Sequence, residues 1–447
     1  MINAQREALV ADNRLAVVLY GEVVGYLNRL DGDAVSFEYD ADYTQDTAAT
    51  PLSLSMPLRQ QVHPPEAVKN WVEGLLPDDD VLRAVWARSV DLSPDSPVFD
   101  WLASPLGLDC AGAVQFVDPA GSTERAAKDE AISDAEIEEW LTELLRAARR
   151  GRTGRSVTAG SFSVSGAQVK LALRNVGRGW SKPSGPLPTT HLLKPSVPGF
   201  RNQAVIEHLC MAAAAGIGLS ASKTSIVSFG GIDTIVVERF DREDGPDGSP
   251  KTKRIHGEDL CQALGVSADK KYQVDGGPSP GDIATLLTEN ATESLDAVRI
   301  FSEMTAYNFI VLNSDAHAKN YGVTLAGAYV GLSPLYDVCS LTPWPDDNPS
   351  KPELAMLIGG ASDYHSVHAE TPAAWVECGR QMGINGKALA LRVGEMAAAV
   401  PDALTAAVEE LPDRLAGTAE VERLVEALTP RCRKLADEFA GSASSPK

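Results

Sequence analysis

Alternating apolar and polar positions open the chain. Leu15-Ala-Val-Val-Leu-Tyr-Gly-Glu-Val-Val-Gly-Tyr-Leu27 and Val35-Ser-Phe-Glu-Tyr39 carry the two-residue period of half-buried strands. Turn residues at Gly21-Glu22 and Asp31-Gly32-Asp33 divide them, so the pattern predicts a small antiparallel meander. Helical composition takes over from Pro65 to Ser89. Ser133-Asp-Ala-Glu136 is a capping box ahead of an amphipathic run that closes at Gly151. Thr190-His-Leu-Leu-Lys194 reads as a strand, and Gln203 to Ala215 as a helix capped by Gly216. Ser225 to Phe229 and Asp233 to Phe240 read as a strand pair around Gly230-Gly231. His256 to Gly265 reads as a short helix with acidic residues in its first turn.

From about residue 281 onward the pattern is mostly helical. Tyr321 to Leu332 interrupts it with two short strands and a turn near Gly327, and Ala355 to Ile358 adds a strand. Thr371 then caps a helix with Pro372 at its first position, and helices continue through Ala416 and Glu420 to Phe439. Asp118 to Thr123, Gly151 to Ser161 and Asp241 to Lys253 are rich in loop formers. Ser156 to Ser165 is expected to be mobile, and Gly441 to Lys447 to be a disordered tail. There is no internal repeat.

A chain of 447 residues with 44% hydrophobic content can bury a sizeable core in two or three domains. It has no apolar run of about eighteen residues and no charged-then-apolar leader, so a cytoplasmic protein without membrane insertion is expected. Six scattered cysteines without a C-x-x-C pair predict reduced packing residues and no zinc site. The balance of 40 basic and 61 acidic residues gives a net charge of −21, which disfavours long-range attraction to nucleic acid. Arg146, Arg149, Arg150, Arg152 and Arg155 make the one basic cluster. Cations at a helix carboxyl end are ordinary solvated charges, with phosphate or protein docking as the alternative. His365 and His368, three apart with no third ligand nearby in sequence, are a weak metal signal.

The chemistry concentrates in Asn313-Ser-Asp-Ala-His-Ala-Lys-Asn320 and Leu335-Tyr-Asp337. Phosphoryl transfer needs a carboxylate to hold the attacking hydroxyl, and an amide with a second carboxylate to hold magnesium against the phosphates. Asp315 and Asn320 keep the five-residue spacing of kinase catalytic loops, and Asp337 follows the short hairpin where a second magnesium ligand belongs. The bland alternative is a polar turn followed by a solvated acidic loop residue. Upstream, Phe162-Ser-Val-Ser-Gly-Ala-Gln-Val-Lys170 offers small residues, Ser165, Gly166 and Ala167, whose amides can approach phosphate closely. The familiar G-x-G-x-x-G and P-loop fingerprints are absent. Lys194 ends its strand where kinases place the lysine that pairs the phosphates, and Glu207 on the next helix is suited to pair with it.

Taken together, Ser163 to Gln168, His191 to Lys194, Val237 to Arg242, Ile255 to Gly265, Asn313 to Asn320 and Pro334 to Asp337 resemble the HipA family of serine/threonine kinase toxins from bacterial toxin–antitoxin pairs. The likeness extends to Leu15–Tyr26 and Asn70–Asp79, so it covers nearly the whole chain in family order. It implies an α+β, two-lobed protein-kinase-like fold with a β-rich amino-terminal subdomain and a mostly helical carboxy-terminal lobe. The implied divisions are an amino-terminal subdomain over 1–118, a nucleotide-binding region over 119–240, a helical catalytic lobe over 241–440 and the tail 441–447.

By this resemblance, ATP and Mg2+ are the cofactors. Ser165, Gly166, Ala167, Gln168, Val169 and Lys170 would lie over the phosphates and Lys194 would contact them. The backbone of Glu238, Arg239 and Phe240 would hold the adenine edge. Asp315 would be the catalytic base and Asn320 and Asp337 the metal ligands, with His317, Lys319 and Tyr336 beside the nucleotide. Ser163 matches the family's self-phosphorylated serine, and the added charge beside bound triphosphate would expel the loop. Ser165 departs from the family's usual alanine and Val169 from its usual acidic residue, but neither change removes a backbone amide. The implied substrate is a protein Ser or Thr, of an aminoacyl-tRNA synthetase, whose modification would halt translation and produce growth arrest and persistence. The implied partner is a HipB-like helix-turn-helix antitoxin dimer, through which any DNA contact would run. A small-molecule kinase, or an inactive subunit acting as corepressor with an antitoxin, is the alternative.

Overall fold

The structure is a computed structural model that describes residues 13–77, 80–119, 128–150, 169–175, 177, 179–185, 187–245, 253–344, 353–361 and 363–440. The chain divides into two compact units. The first comprises residues 1–198, 227–268 and 323–329, and the second comprises 199–226, 269–322 and 330–447.

In the first unit, β1 (Arg14–Leu19), β2 (Glu22–Arg29) and β3 (Val35–Tyr39) form the predicted meander. β4 (Val62–His63) and β5 (Gln115–Val117) extend it into a five-stranded sheet of order β4-β3-β2-β1-β5. The first turn is centred on Tyr20 and Gly21, one residue earlier than the spacing predicts, with φ of +55° and +86°. Two left-handed residues match the right-handed twist of a hairpin, which sets that register. Leu15, Val17, Leu19, Phe37 and Tyr39 point into one core with Val68, Trp71 and Val72 of α1 (Pro65–Glu73).

A second core of the same unit gathers α2 (Asp80–Ser89), α3 (Val98–Ala103) and α4 (Asp134–Arg150) under a six-stranded sheet. Its strands are β6 (Lys128–Ile132), β7 (Leu171–Asn175), β8 (Trp180–Ser184), β9 (His191–Pro195), β10 (Thr224–Phe229) and β11 (Ile232–Glu238), in the order β10-β11-β9-β7-β8-β6. The predicted capping box starts α4: Ser133 Oγ accepts from the Glu136 amide at 3.3 Å, and Glu136 Oε2 accepts from the Ser133 amide at 2.8 Å. Those hydrogen bonds hold the Glu136 carboxyl below the usual range. The predicted hairpin at Gly230-Gly231 has φ of +56° and +88°. A Cβ at Gly230 would meet only the flexible end of the Glu138 side chain, so it is the left-handed backbone that favours glycine there.

His256 to Gly265 is helical only over α6 (Leu260–Leu264); His256–Asp259 is a strand, here β14 after β12 (Arg242–Glu243) and β13 (Lys253–Arg254). Asp259 is the cap, accepting from the Gln262 amide at 2.9 Å, so the helix begins after the acidic residues. Gly257 explains the strand: a Cβ on it would meet the Val323 carbonyl at 2.7 Å, where β15 (Gly322–Ala326) runs alongside.

Glu258 lies fully buried on β14, accepting from the Leu54 amide at 2.8 Å, and burial pushes its carboxyl up to about 8. The folded state therefore prefers the protonated acid. Its stabilising contribution is full below the unfolded value near 4.5 and is lost as pH rises toward 8. Between pH 5 and 7 the loss is on the order of 2–3 kcal/mol. Denaturant titrations at both pH values should show stability falling with pH in the wild type, and a Glu258→Gln variant should lack that decline.

The second unit is built from α5 (Gln203–Gly216), α7 (Pro280–Asn290), α8 (Ser294–Ile310), α9 (Pro372–Gln381), α10 (Gly386–Glu409), α11 (Asp413–Ala416) and α12 (Ala419–Ala440). β16 (Tyr329–Leu332) precedes the segment that carries Asp337. Helix α5 runs through Gly216, and the left-handed residue behind it is Gly218 at φ +88°, two positions beyond the predicted cap. Thr371 caps α9 as predicted, accepting from the Ala374 amide. α10 passes α12 so closely that a Cβ on Gly394 would sit 2.8 Å from that of Phe439. Ala355 to Ile358 is not a strand. Ala355, Met356 and Ile358 are buried and Leu357 half-buried, but the one bridge among the described residues of that region joins Glu353 to His365. His365 and His368 pair instead with Glu353 and Asp363. Among the described residues no group of three or more His, Cys, Asp or Glu side chains forms a metal site. No helix among them is long and apolar enough to cross a membrane.

Candidate active site

Helix α8 delivers the chain to the candidate catalytic loop. It ends at Ile310, and Leu312 turns with φ +54°. Asn313 is buried and is braced from within the helix, its Nδ2 donating to Asn308 Oδ1 at 2.8 Å. Asn308 Nδ2 in turn donates to the Tyr321 hydroxyl at 2.9 Å and to the Met304 carbonyl at 3.0 Å. Asn313 Oδ1 accepts from the Asp315 amide at 3.3 Å. A buried chain of amides thus fixes the backbone that carries Asp315, and satisfied networks of this kind are rigid.

Asp315 itself points outward, with its side chain 60% exposed. Its backbone carbonyl accepts from Asn320 Nδ2 at 2.6 Å and from the His317 amide at 2.8 Å. The five-residue spacing is explained by this closure: the loop folds back so that the Asn320 amide is fixed on the residue that carries the carboxylate. His317 is buried, and burial lowers its pKa from the ordinary value. The charges of Asp315 and Asp337 oppose that shift and Lys271 adds to it, which places Asp337 within electrostatic reach of the imidazole. Tyr336 donates its hydroxyl to the Lys319 carbonyl at 2.8 Å, tying the Asp337 segment to the loop. Leu335 pairs with the 220–222 stretch, donating to Ser220 O at 2.8 Å while its carbonyl accepts from the Ser222 amide at 2.9 Å. Asp337 has φ +59°, a left-handed conformation that a non-glycine residue keeps only when its surroundings enforce it.

The Asn320 amide oxygen and the Asp337 carboxylate are hard oxygen donors. That set suits a magnesium ion, which fills the rest of its shell with water and phosphate oxygens.

In the first unit, Lys194 is the penultimate residue of β9, facing Ile235 of β11, and is buried. Glu207 on α5 of the second unit is also buried. Val169 packs in the second core of the first unit and Lys170 beside it is buried. Ser163, Ser165, Gly166, Ala167 and Gln168 lie outside the described residues, as do the predicted mobile stretch, Arg152, Arg155 and the tail. Glu238 ends β11 opposite His191, and the Arg239 amide donates to the Thr190 carbonyl at 2.9 Å, so that amide serves the sheet.

Asp241 and Arg242, read from sequence as the start of a polar insertion, are buried. With Asp109, Arg239 and Arg254 they form an ionic cluster that sequence reading missed. Arg239 Nη2 donates to Asp241 Oδ2 at 2.7 Å, and Arg242 Nη2 and Arg254 Nη2 each lie 3.0 Å from Asp109 Oδ1. Thr189 donates to Asp109 Oδ2 through its hydroxyl at 2.6 Å and its amide at 3.0 Å. Burial would raise the Asp109 carboxyl, but the three guanidiniums hold it below the ordinary range. Burial and the neighbouring Arg239 charge bring Arg242 down to about 10. The segment that carries the adenine-edge candidates, Glu238 to Phe240, is therefore locked through Arg239, Asp241 and Arg242 to the turn after α3.

Comparisons with known proteins show the family of the chain and its fold. Residues 15–117 match the family model HipA N-terminal domain, and residues 162–404 match HipA-like C-terminal domain. Protein Y4mE of Sinorhizobium fredii (strain NBRC 101917 / NGR234) is 28% identical over 423 residues, 92% of this chain and 96% of its own. Serine/threonine-protein kinase toxin HipA of Shewanella oneidensis is 28% identical over 405 residues, 86% of this chain and 88% of its own. A solved structure of Shewanella oneidensis MR-1 HipA, in a complex with HipB and operator DNA, superposes with a TM-score of 0.82 at 24% identity. It covers 97% of this chain and 100% of that one, which shows that the α+β, kinase-like fold is shared.

Proposed function

From a chain that belongs to the HipA family, we propose a magnesium- and ATP-dependent serine/threonine kinase that acts as the toxin of a toxin–antitoxin pair. The observation that carries this reading is the closure of the Asn313–Asn320 loop, which exposes the Asp315 carboxylate while Asn320 is fixed to its backbone. Asp315 orients the substrate hydroxyl and receives its proton as the γ-phosphoryl leaves ATP. Asn320 and Asp337 hold magnesium, which neutralises phosphate charge when bound. Lys194 contacts the phosphates. Ser165 to Lys170 cover the phosphates. The Glu238 to Phe240 backbone carries the adenine edge, with Arg239 anchoring the strand, and His317, Lys319 and Tyr336 shape the nucleotide side of the loop.

The protein target in this proposal is an aminoacyl-tRNA synthetase, and the restraint is a HipB-like helix-turn-helix dimer that contacts operator DNA. The partnership is supported by the HipA, HipB and operator DNA complex of the Shewanella structure. Ser163 is the proposed self-phosphorylation site that switches nucleotide binding off. Intact-mass and peptide mapping after incubation with magnesium and ATP should show one phosphate gained, on Ser163. Consumption of ATP with a metabolite but without any phosphoprotein would identify a small-molecule kinase instead.

A further inference from the structure

Asp315 does not stand alone at the surface of its loop. The hydroxyl of Tyr272, 43 residues upstream, donates a hydrogen bond to Asp315 Oδ1. The Tyr272 ring lies edge-on to the His317 ring, centroids 4.9 Å apart at 87°. The neighbouring Lys271 carbonyl accepts from the Ala318 amide at 3.2 Å. One short segment thus touches the carboxylate, the histidine two residues on, and the backbone beyond it, all within the second unit.

The segment is itself fixed. Gln273 donates its amide to the Ala355 carbonyl at 3.2 Å, and its Oε1 accepts from the Leu357 amide at 2.8 Å. The turn that follows closes on the Tyr272 carbonyl, which accepts from the Gly277 amide at 3.0 Å. A Cβ on Gly277 would lie 2.1 Å from the Lys270 carbonyl, so the turn holding Tyr272 admits only glycine at that position.

A carboxylate has two oxygens and turns easily about its last torsion, and the base of a phosphoryl transfer must offer one of them along a fixed line. We propose that Tyr272 is a positioning residue for the kinase reaction: its hydroxyl pins Oδ1 and its ring braces His317, so that Oδ2 faces the incoming Ser or Thr hydroxyl. The phenol touches neither nucleotide nor phosphate in this role. It acts on the turnover step through Asp315. The proposal rests on the kinase reading and deepens it.

The test compares the wild-type chain with Tyr272→Phe, which keeps the ring and removes the donor, and Tyr272→His, which returns a ring N–H. Phosphate incorporated into the full-length chain is followed by intact mass at varied ATP in excess magnesium, giving a maximal rate and a half-saturating concentration. Tyr272→Phe is expected to lower the maximal rate by about ten-fold or more, with half-saturating ATP and melting temperature unchanged. Tyr272→His should recover part of the rate. A wild-type rate in Tyr272→Phe overturns the proposal, and a higher rate shows that the phenol blocks the base instead. A rise in half-saturating ATP that accounts for the whole loss also overturns it. These results leave the kinase reading intact, whereas a wild-type chain that transfers no phosphate removes that reading and this proposal together.

Discussion

Replacing Asp109 with asparagine should destabilise the first unit by about 3–5 kcal/mol, the cost of breaking a buried ion pair by removing one partner. The reason is charge balance. Arg239, Arg242 and Arg254 face Asp109 and Asp241, so three cations meet two anions and the buried cluster carries a formal +1. Asp109→Asn raises this to +2 and turns an amide donor toward guanidinium donors. Arg242→Met removes a residue with more hydrogen bonds: its guanidinium reaches the carbonyls of Thr189 at 3.1 Å, Gly112 at 2.8 Å and Cys110 at 3.1 Å. It nevertheless leaves two cations on two anions, and the depressed Arg242 value near 10, set first by burial and then by the neighbouring Arg239 charge, marks a cation whose removal relieves both. The account therefore expects Asp109→Asn to be the more damaging of the two. Urea denaturation of both variants at pH 7 checks the order, and a larger loss in Arg242→Met would show that carbonyl satisfaction outweighs charge balance. Because Asp109 and Asp241 titrate below their ordinary range, their contribution persists above pH 4 and disappears as pH falls through the folded values.

The elements legible in the sequence are those whose signals are local. Ser133 and Glu136 cap α4 because both partners lie within one turn, and Gly230-Gly231 makes a hairpin because two adjacent glycines accept the required torsions. The Asp315 to Asn320 spacing was readable for the same reason, since the bond that gives it meaning spans five residues. Signals that depend on distant partners were not readable. Asp109 meets Arg242 across 133 positions, so Asp241 and Arg242 look like a polar insertion until the fold buries them. His256 to Asp259 resembles a helix start in composition, and it is pairing with β15, with Val323 close against Gly257, that makes it a strand. Ala355 to Ile358 has strand-like composition but its burial comes without a ladder partner. Tyr272 carries no local mark at all. A tyrosine after two lysines gains its meaning from a carboxylate 43 residues away.

The largest functional effect should follow from Asp315→Asn. The substitution is isosteric, so the Asn320 and His317 bonds to the residue's backbone carbonyl at 2.6 and 2.8 Å stay in place and the loop keeps its shape. What disappears is the anion that orients the attacking hydroxyl and takes its proton, a contribution of roughly 10²–10⁴-fold in rate for a positioned general base. Nucleotide binding should be nearly unchanged, because the proposed phosphate and metal contacts belong to Lys194, Asn320 and Asp337. The decisive measurement is single-turnover transfer of the γ-phosphoryl of ATP to protein by wild type and Asp315→Asn, with ATP affinity measured on the same samples. The account predicts transfer in the wild type, a loss of about 10³-fold in the variant and equal ATP affinity. Equal transfer by the two proteins, or a loss explained wholly by weaker ATP binding, would contradict the assignment of Asp315 as the base of a kinase.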